Sequence, residues 1–292
     1  MLHDFETRKI RTSVTEIHTR IAGDGPPLLL LHGYPQTHVI WHKIAPQLAR
    51  DFTVVATDLR GYGDSGKPPT TDDHAPYSKR AMALDQVEVM EALGFDRFAV
   101  VGHDRGGRVA HRMARDHGNR VSKLAVLDIA QTAAMYGQTD KVFATAYYHW
   151  FFLIQPHDLP ERMIGADPAF YLGKKLRAWG RSSAAITDEA FAEYLRCFRD
   201  PAMIHASCED YRAAAGIDLA HDATDAETRL QMPLLALWGA AGFVGQNYDV
   251  LSEWRAVADQ VSGHAVPGGH YVPEEAPEET LAALREFLNA TA

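Results

Sequence analysis

The sequence predicts an α/β fold, in which a mostly parallel sheet is flanked by helices and a helical cap is inserted between two of its strands. Short apolar runs recur along the chain, and each is followed by a glycine-rich turn and then by a helical pattern. The runs are rich in valine, leucine and alanine on both faces, which is typical of strands that helices cover on both sides. The alternation stops at about residue 130 and resumes at Met232.

Five segments carry the predicted strands. In chain order they are PPLLLLHGYPQT (26–37), FTVVATDLRGYGDSG (52–66), RFAVVGHDRGG (97–107), KLAVLDIA (123–130) and PLLALWG (233–239). Residues 78–93 and 106–116 are predicted to be helices, because apolar residues recur there at steps of three and four. The final helix begins at about Pro277, where the acidic residues that follow suit the positive end of a helix dipole. Ligands of such sheets bind beyond the carboxyl ends of the strands, where the glycine-rich loops lie.

The segment between the fourth and fifth predicted strands is rich in aromatic residues, arginine and alanine, which favours a helical cap. We expect residues 1–129 to form the first part of a core, 130–225 the cap, and 226–292 the second part of the core. With 292 residues, of which 46% are apolar, the chain is long enough to bury a sizeable core and to carry this insertion.

The formal net charge of −9 and the two cysteines limit the class of protein. An acidic surface repels anions at long range, and no cluster of lysine and arginine indicates a nucleic-acid partner. Cys197 and Cys208 do not form a C-x-x-C pair, so we expect free thiols in a reducing compartment. The first residues lack the apolar run of a signal peptide, and the most apolar window, residues 146–154, is too short to cross a bilayer. We therefore expect a cytoplasmic protein with no membrane partner.

Two motifs in the sequence lack the neighbouring residues that phosphate binding or metal binding would need. GYGDSGK (61–67) fits G-x-G-x-x-G and the first places of a P-loop, both of which need a helix to begin at once. Pro68 and Pro69 follow directly and disfavour that helix. His38 and His42 have the spacing of metal ligands, but no third ligand is near them in the sequence. We expect neither a metal nor a cofactor.

The segment VGHDRGGRVAHR (101–112) has the spacing of a nucleophile elbow, in which a strand turns sharply into a helix. Gly102, Gly106 and Gly107 permit the close backbone crossing that this turn needs. The nucleophile position holds Asp104, and the amide dipoles at the start of the following helix stabilise an anion there. Asp104 is therefore the predicted nucleophile.

A nucleophile of this kind needs a base and a residue that orients the base. His270, in VPGGHYVPEE (266–275), lies in the loop before the final helix, where the histidine of such a site falls in chain order. The orienting acid usually follows the strand that ends at Gly239, but the next acid along the chain is Asp249. We therefore assign the orienting role to Asp128, at the end of the preceding predicted strand.

An aspartate at the elbow predicts a different reaction from a serine. A carboxylate displaces a leaving group from saturated carbon and forms an ester, and water activated by His270 then hydrolyses that ester at the carbonyl of Asp104. A serine at this position would indicate acyl transfer instead. The oxyanion of the second step needs two donors, for which we predict the backbone N–H groups of Arg105 and Tyr34.

The pattern HGYPQT…DLRGYGDSG…VGHDRGGRVAHR…LD…GGH resembles the α/β-hydrolase superfamily and, within it, the fluoroacetate (haloacetate) dehalogenase family. The resemblance covers nearly the whole chain. GHDRGGR is its specific motif, and HW (149–150) and DYRAAA (210–215) in the cap strengthen it. It implies a homodimer that hydrolyses small 2-haloacids such as fluoroacetate or chloroacetate to glycolate and halide.

The resemblance also implies roles for two groups of residues around Asp104. Arg105 and Arg108 lie three positions apart, and the family's matching arginines clamp the substrate carboxylate with their planar forks. The alternative for these arginines is structural pairing with Asp104 or with acids such as Asp116. Three cap residues with N–H or O–H donors match the family's halide pocket: His149, Trp150 and Tyr211.

Two other functions stay open. An epoxide hydrolase also uses an aspartate nucleophile and needs two cap tyrosines, for which the candidates are Tyr147, Tyr148, Tyr171, Tyr194 and Tyr211. Epoxide hydrolases and haloalkane dehalogenases usually carry tryptophan after the nucleophile, where this chain has Arg105. The third interpretation is a receptor that keeps the fold and binds a ligand without turnover.

Overall fold

The computed structural model describes residues 1–182 and 184–290, which form a sheet of eight strands. The strands are β1 (Glu6–Arg11), β2 (Glu16–Ala22), β3 (Pro27–Leu31), β4 (Thr53–Thr57), β5 (Phe98–His103), β6 (Val121–Leu127), β7 (Leu234–Gly239) and β8 (Val261–Val266). Their order across the sheet is β1-β2-β4-β3-β5-β6-β7-β8. The pairs β1–β2 and β2–β4 are antiparallel, and the other pairs are parallel. The predicted mostly parallel sheet is confirmed.

Helices lie between the strands and after the last strand along the chain. They are α1 (Ala45–Leu48), α2 (Lys79–Ala92), α3 (Arg105–Asp116), α4 (Thr132–Gly137), α5 (Lys141–Ala146), α6 (His149–Phe152), α7 (Leu159–Ala166), α8 (Pro168–Trp179), α9 (Asp188–Phe198), α10 (Pro201–Ala215), α11 (Ile217–Thr224), α12 (Phe243–Asn247), α13 (Val250–Arg255), α14 (Val272–Glu275) and α15 (Pro277–Asn289). Two 3₁₀ helices span His38–Lys43 and Ala75–Tyr77. Within the described part of the chain, no helix is both long and apolar enough to cross a membrane.

The central strands are buried on both faces, because helices cover the sheet on both sides. In β3, Leu29 and Leu31 pack into the core cluster that also contains residues of α2 and α3. Leu28 and Leu30 point the other way, into the cluster with residues of α1 and α15. This alternation is the two-residue period of a strand, and it explains why β3 reads as a continuous apolar run.

Helices α4 to α11 all lie between β6 and β7, so a helical segment is inserted into the sheet as predicted. The aromatic side chains of this segment pack into the same core cluster as α2 and α3, with Trp150 and Tyr211 buried in it. The exact limits of the cap, residues 130 and 225, stay a prediction.

The parallel strands bring the candidate residues to one edge of the sheet. Because β3, β5, β6, β7 and β8 run in the same direction, their carboxyl ends share that edge. Tyr34 follows β3, Asp104 follows β5, Asp128 follows β6 and His270 lies in the loop after β8.

Candidate active site

The elbow between β5 and α3 holds Asp104 in a conformation that side chains rarely adopt. Its φ is +47°, in the region that ordinarily favours glycine. The surrounding glycines make the crossing possible, because a Cβ on Gly102 would lie 2.6 Å from the Cα of Gly107. A Cβ on Gly106 would lie 2.6 Å from the backbone of Leu31 in β3. The tight turn therefore fixes Asp104 at the edge of the sheet.

The two carboxylate oxygens of Asp104 have different surroundings. Oδ1 accepts a hydrogen bond of 2.9 Å from the backbone N–H of Tyr34, and Oδ2 lies 3.8 Å from Nε2 of His270. Burial would raise the pKa of Asp104, but the positive charges of His270 and the two arginines outweigh it and lower that pKa. Asp104 is therefore an ionised carboxylate with one oxygen held and the other turned to the histidine.

The predicted base and orienting acid meet at bonding distance. Nδ1 of His270 lies 2.6 Å from Oδ2 of Asp128, and Oδ1 of Asp128 accepts a bond of 2.9 Å from the N–H of Gly239. Burial would lower the pKa of His270, but the bond to Asp128 outweighs it and raises that pKa. Asp249, the other acid considered, is exposed and accepts a bond of 3.0 Å from the N–H of Ser252 at the start of α13.

Two residues that the sequence did not single out hold the backbone of His270. Nε2 of His103 lies 2.8 Å from the carbonyl oxygen of His270, and burial lowers the pKa of His103 to about 3, so its neutral ring donates this bond. The N–H of His270 donates a bond of 3.0 Å to the carbonyl of Trp179, at the end of α8. The position of His103, directly before the nucleophile, was the only sequence signal for either residue.

Arg105 is fully buried and ion-paired. Its Nε and Nη2 atoms donate bonds of 2.9 and 2.6 Å to the carboxylate of Asp210 in α10. Its Nη1 atom has no hydrogen-bond partner among residues 1–182 and 184–290. The guanidinium carbon lies 4.1 Å from the centre of the Tyr211 ring. Among the described residues, Arg105 therefore has only the NH2 group of Nη1 free, and not the full fork that the sequence suggested.

Asp210 is a further site residue that the sequence analysis missed, although it begins the DYRAAA motif. Besides Arg105, the carboxylate of Asp210 forms an ion pair with the ammonium group of Lys79. It also accepts a hydrogen bond of 2.6 Å from the hydroxyl of Tyr62. These two positive charges outweigh burial and hold the pKa of Asp210 well below its usual range. Asp210 therefore stays ionised and fixes Arg105 from the cap side.

Arg108 is buried, with 4% of its surface exposed, and has a different environment. Its Nη1 atom donates bonds of 3.0 Å to the carbonyl of Ala130 and 2.9 Å to the hydroxyl of Thr132. No carboxylate lies within ion-pairing distance of it in the part of the chain that the structure describes, and its Nε atom lacks a partner there. Burial and the nearby positive charge of Arg105 lower the pKa of Arg108. The neighbouring protein therefore leaves this cation without a bonded counter-charge.

The three predicted halide-binding residues lie together and are buried. Their exposed fractions are 1%, 1% and 0% for His149, Trp150 and Tyr211. Nδ1 of His149, Nε1 of Trp150 and the hydroxyl of Tyr211 have no hydrogen-bond partner among the described residues. The ring of Tyr211 lies 5.5 Å from that of His149 and 6.4 Å from that of Trp150. Because buried polar groups are nearly always bonded, three such groups beside two arginines indicate a small polar ligand.

A cavity of about 540 Å³ leads from the surface to His270. Its walls come from α5, α8 and the loop before α12, and they include Tyr147, Tyr148, Tyr171, Lys175 and Trp179. Trp179 marks its inner end, since its ring centre lies 5.5 Å from that of His270 and 4.4 Å from that of His149. We call this space the entrance cavity.

The loop 61–67 and His38, for which the sequence did not support phosphate or metal binding, have structural roles. The loop 61–67 folds around Asp58, whose carbonyl accepts a bond of 2.7 Å from the hydroxyl of Ser65. His38 also bonds Asp58, with its Nδ1 atom 2.8 Å from Oδ1. Together with His18, these two residues place possible metal-ligand atoms within 4.8 Å of one another. Both oxygens of Asp58 already accept backbone N–H bonds, from His38 and Asp64, so the cluster is explained as a loop support.

Comparison with known proteins agrees with this arrangement. Residues 26–277 match the model of a family described as alpha/beta hydrolase fold. A fluoroacetate dehalogenase of Burkholderia sp. is 46% identical over 99% of this chain and 95% of its own length. A soluble epoxide hydrolase of Corynebacterium sp. (strain C12) is 36% identical, over 93% of each chain. A crystal structure from Nostoc sp PCC 7120, described as an alpha/beta hydrolase, superposes with a TM-score of 0.99 at 60% identity over the full length of both chains.

Proposed function

The chain belongs to the fluoroacetate (haloacetate) dehalogenase family of the α/β-hydrolase superfamily, and we propose from this premise that it hydrolyses small 2-haloacids such as fluoroacetate or chloroacetate to glycolate and halide. The observation that carries the proposal is the buried guanidinium of Arg108, which has no carboxylate partner among the described residues. A buried cation is costly unless it is paired. A substrate carboxylate would supply the missing charge, with the free Nη1 atom of Arg105 as a second donor.

In the first step of the proposed reaction, Oδ2 of Asp104 attacks the halogen-bearing carbon. Oδ1 is held by the N–H of Tyr34, so Oδ2 is the free nucleophile. The C–O bond forms as the carbon–halogen bond breaks, and the halide leaves with the electron pair. His149, Trp150 and Tyr211 would donate hydrogen bonds to it, and these are the atoms that lack partners within the described residues.

In the second step, water attacks the ester carbonyl of Asp104. Nε2 of His270 takes the proton of that water, and Asp128 stabilises the cation that forms. The carbonyl oxygen of the ester is Oδ1, so the negative charge develops 2.9 Å from the N–H of Tyr34. The N–H of Arg105, the first residue of α3, is the proposed second donor. Collapse of the intermediate regenerates the carboxylate and releases glycolate.

Hydrolysis of an epoxide is the second candidate function, because two cap tyrosines lie near the nucleophile. Burial raises the pKa of both Tyr147 and Tyr211. The ring of Tyr211 lies 5.3 Å from that of Tyr34, whose N–H bonds Asp104, and Tyr147 lines the entrance cavity together with His270. An epoxide, however, offers no counter-charge to Arg108. We therefore rank the haloacid above the epoxide as substrate.

Incubation with fluoroacetate, chloroacetate and styrene oxide separates the candidates. The proposal requires halide release from a haloacid, measured with a halide-selective electrode or by chromatography, and none from the Asp104→Ala variant. Formation of a diol from styrene oxide with no halide release would favour the epoxide hydrolase. Binding of a haloacid with neither product would favour a receptor.

The proposal also includes the oligomeric state and the cellular compartment of the enzyme. We propose a homodimer in the cytoplasm, as the family resemblance implies. Exposed apolar side chains on the cap, among them Val142, Met163 and Phe170, support a subunit contact there, and both cysteines are free thiols. Light scattering of the purified protein tests the dimer, and a monomer at micromolar concentration would contradict it.

A further inference from the structure

The entrance cavity contains a lysine that the reaction scheme does not use. Lys175, in α8, is 2% exposed, and its Nζ atom has no hydrogen-bond partner in the part of the chain that the structure describes. Nζ lies 3.5 Å from the ring centre of Tyr148, 5.0 Å from that of Trp179 and 5.5 Å from that of Tyr171. Three aromatic faces therefore surround the ammonium group, and a ring face stabilises a cation less than a bonded carboxylate does.

The charges around Lys175 are positive. Lys174, Arg181 and His270 line the same cavity, and no aspartate or glutamate is among its lining residues in the described chain. Lys175 forms no ion pair with any described residue. Burial lowers the pKa of Lys175 to about 7, because the site desolvates the ammonium group and supplies no carboxylate.

Lys175 also lies close to the proposed halide pocket. Burial lowers the pKa of His149, and the positive charge of Lys175 is the next contribution to that decrease. Trp179 connects the two places, since its ring contacts both the Lys175 ammonium group and the His149 ring. Lys175 and His270 therefore line one cavity, and Trp179 separates the Lys175 ammonium group from the ring of His149.

We propose that the ammonium group of Lys175 is a second anion-binding subsite, which holds a small monoanion in the entrance cavity. The inference rests on the proposed function for the identity of the anion, which is the incoming haloacid carboxylate or the released halide. The net charge of −9 repels such anions from the protein as a whole, so a local cation at the entrance raises their concentration where they are needed.

Kinetics of two variants test the role in capture. Lys175→Met keeps an unbranched chain among the three rings but removes the charge, and we expect KM for chloroacetate to rise by about tenfold with kcat little changed. Lys175→Arg keeps the charge at every pH, so its KM should stay low above neutral pH, where the wild-type KM rises as Lys175 loses its proton. Arg177→Met, an exposed position on the same helix, is the matched control and should retain the wild-type KM. A Lys175→Met enzyme with wild-type KM across the pH range would overturn capture.

Bromide tests the subsite without turnover. Crystals soaked in bromide below neutral pH should show anomalous density beside Nζ of Lys175, and Lys175→Met crystals should lack it. If bromide binds there and only bromide inhibition weakens in Lys175→Met, the subsite serves the released halide. Absence of bromide in the wild type together with unchanged KM in the variant refutes the subsite. Bromide at Lys175 in a protein that releases no halide from any haloacid would refute the proposed function and keep the subsite.

Discussion

Oδ2 of Asp128 lies 2.6 Å from Nδ1 of His270, although the two residues are 142 positions apart in the chain. Asp128 follows β6, while the acid of many related sites follows the next strand of the sheet. The neighbouring strand still takes part, because the N–H of Gly239 holds the other oxygen of Asp128 at 2.9 Å. The orienting acid of this chain therefore follows β6 and not β7, and it still bonds Nδ1 of the histidine.

Asp128→Asn should therefore slow the second step selectively. The variant keeps the shape of the side chain but removes the charge that raises the pKa of His270 and stabilises its cation. We expect ester hydrolysis to fall by about 10³- to 10⁴-fold, as in other triads of this type, while the first halide is released at nearly the original rate. Rapid-quench measurement of the halide burst checks this. Asp249→Asn is the control and should behave as wild type; a lost burst in Asp128→Asn would contradict the assignment.

His270→Ala should trap the ester on Asp104. The first step needs no proton transfer, so the variant should react once with chloroacetate and stop. Mass spectrometry of the digested protein should place one carboxymethyl group on the peptide with Asp104. In the wild type, a single turnover in water labelled with oxygen-18 should put the label into Asp104 before it reaches glycolate. Label found only in glycolate would exclude the covalent route.

The two steps should differ in their dependence on pH. Attack needs ionised Asp104, whose pKa is lowered, so halide release should persist into acid solution. Hydrolysis needs neutral His270, whose pKa is raised, so turnover should decline as the pH falls through a value above that of an ordinary histidine. Esterification neutralises Asp104 and removes one of the contributions that raise the pKa of His270, so the intermediate favours the neutral base. Burst and steady-state rates measured over the same pH range check this; coincident profiles would argue against it.

Arg108→Ala should weaken haloacid turnover more than Arg108→Lys. A charge-assisted hydrogen bond contributes roughly 1.5–3 kcal/mol, which corresponds to about 10- to 100-fold in kcat/KM. Lysine keeps the charge but not the planar fork, so it should recover part of the loss. Arg177→Ala, an exposed arginine of α8, is the control. An unchanged kcat/KM in Arg108→Ala would remove the argument for an anionic substrate.

Asp210→Asn should destabilise the fold as well as the site. The change leaves the buried cation of Arg105 without a counter-charge, and Lys79 keeps only its ion pair with Asp218 at 3.4 Å. Loss of one partner of a buried pair costs about 3–5 kcal/mol, which urea unfolding can measure. The exposed pair of Asp259 and Arg229 is the comparison, and Asp259→Asn should lower the free energy of unfolding far less than Asp210→Asn does. Equal effects of the two changes would show that Asp210 is not a structural anchor.

The strands that the sequence predicted are those with buried runs of apolar residues. β3 to β7 have continuous apolar segments, because helices cover both of their faces. β1, β2 and β8 were not predicted. β1 is ETRKIR, almost fully exposed at the edge of the sheet, so no apolar run marks it, and its pairing with β2 is what keeps it extended.

The residues of the candidate site also divide into those that a local motif predicts and those that it does not. Asp104 and His270 stand in local motifs, so the sequence alone predicted that both lie at the carboxyl edge of the sheet, where the structure places them. Asp210 bonds Arg105 although the two residues lie 105 positions apart, and the Tyr148 ring over the Lys175 ammonium group comes from another part of the cap. Such roles depend on tertiary contacts that the pattern along the chain does not encode.

The bond between the N–H of His270 and the carbonyl of Trp179 ties the general base to the last turn of α8. Gly269 packs so closely there that a Cβ would lie 2.6 Å from the same carbonyl oxygen. Chimeras made by grafting the cap of one homologue onto the core of another would therefore exchange a backbone support of the histidine along with the pocket walls. Engineers who want a new substrate range from such a graft would need to transplant the His270 loop together with α8.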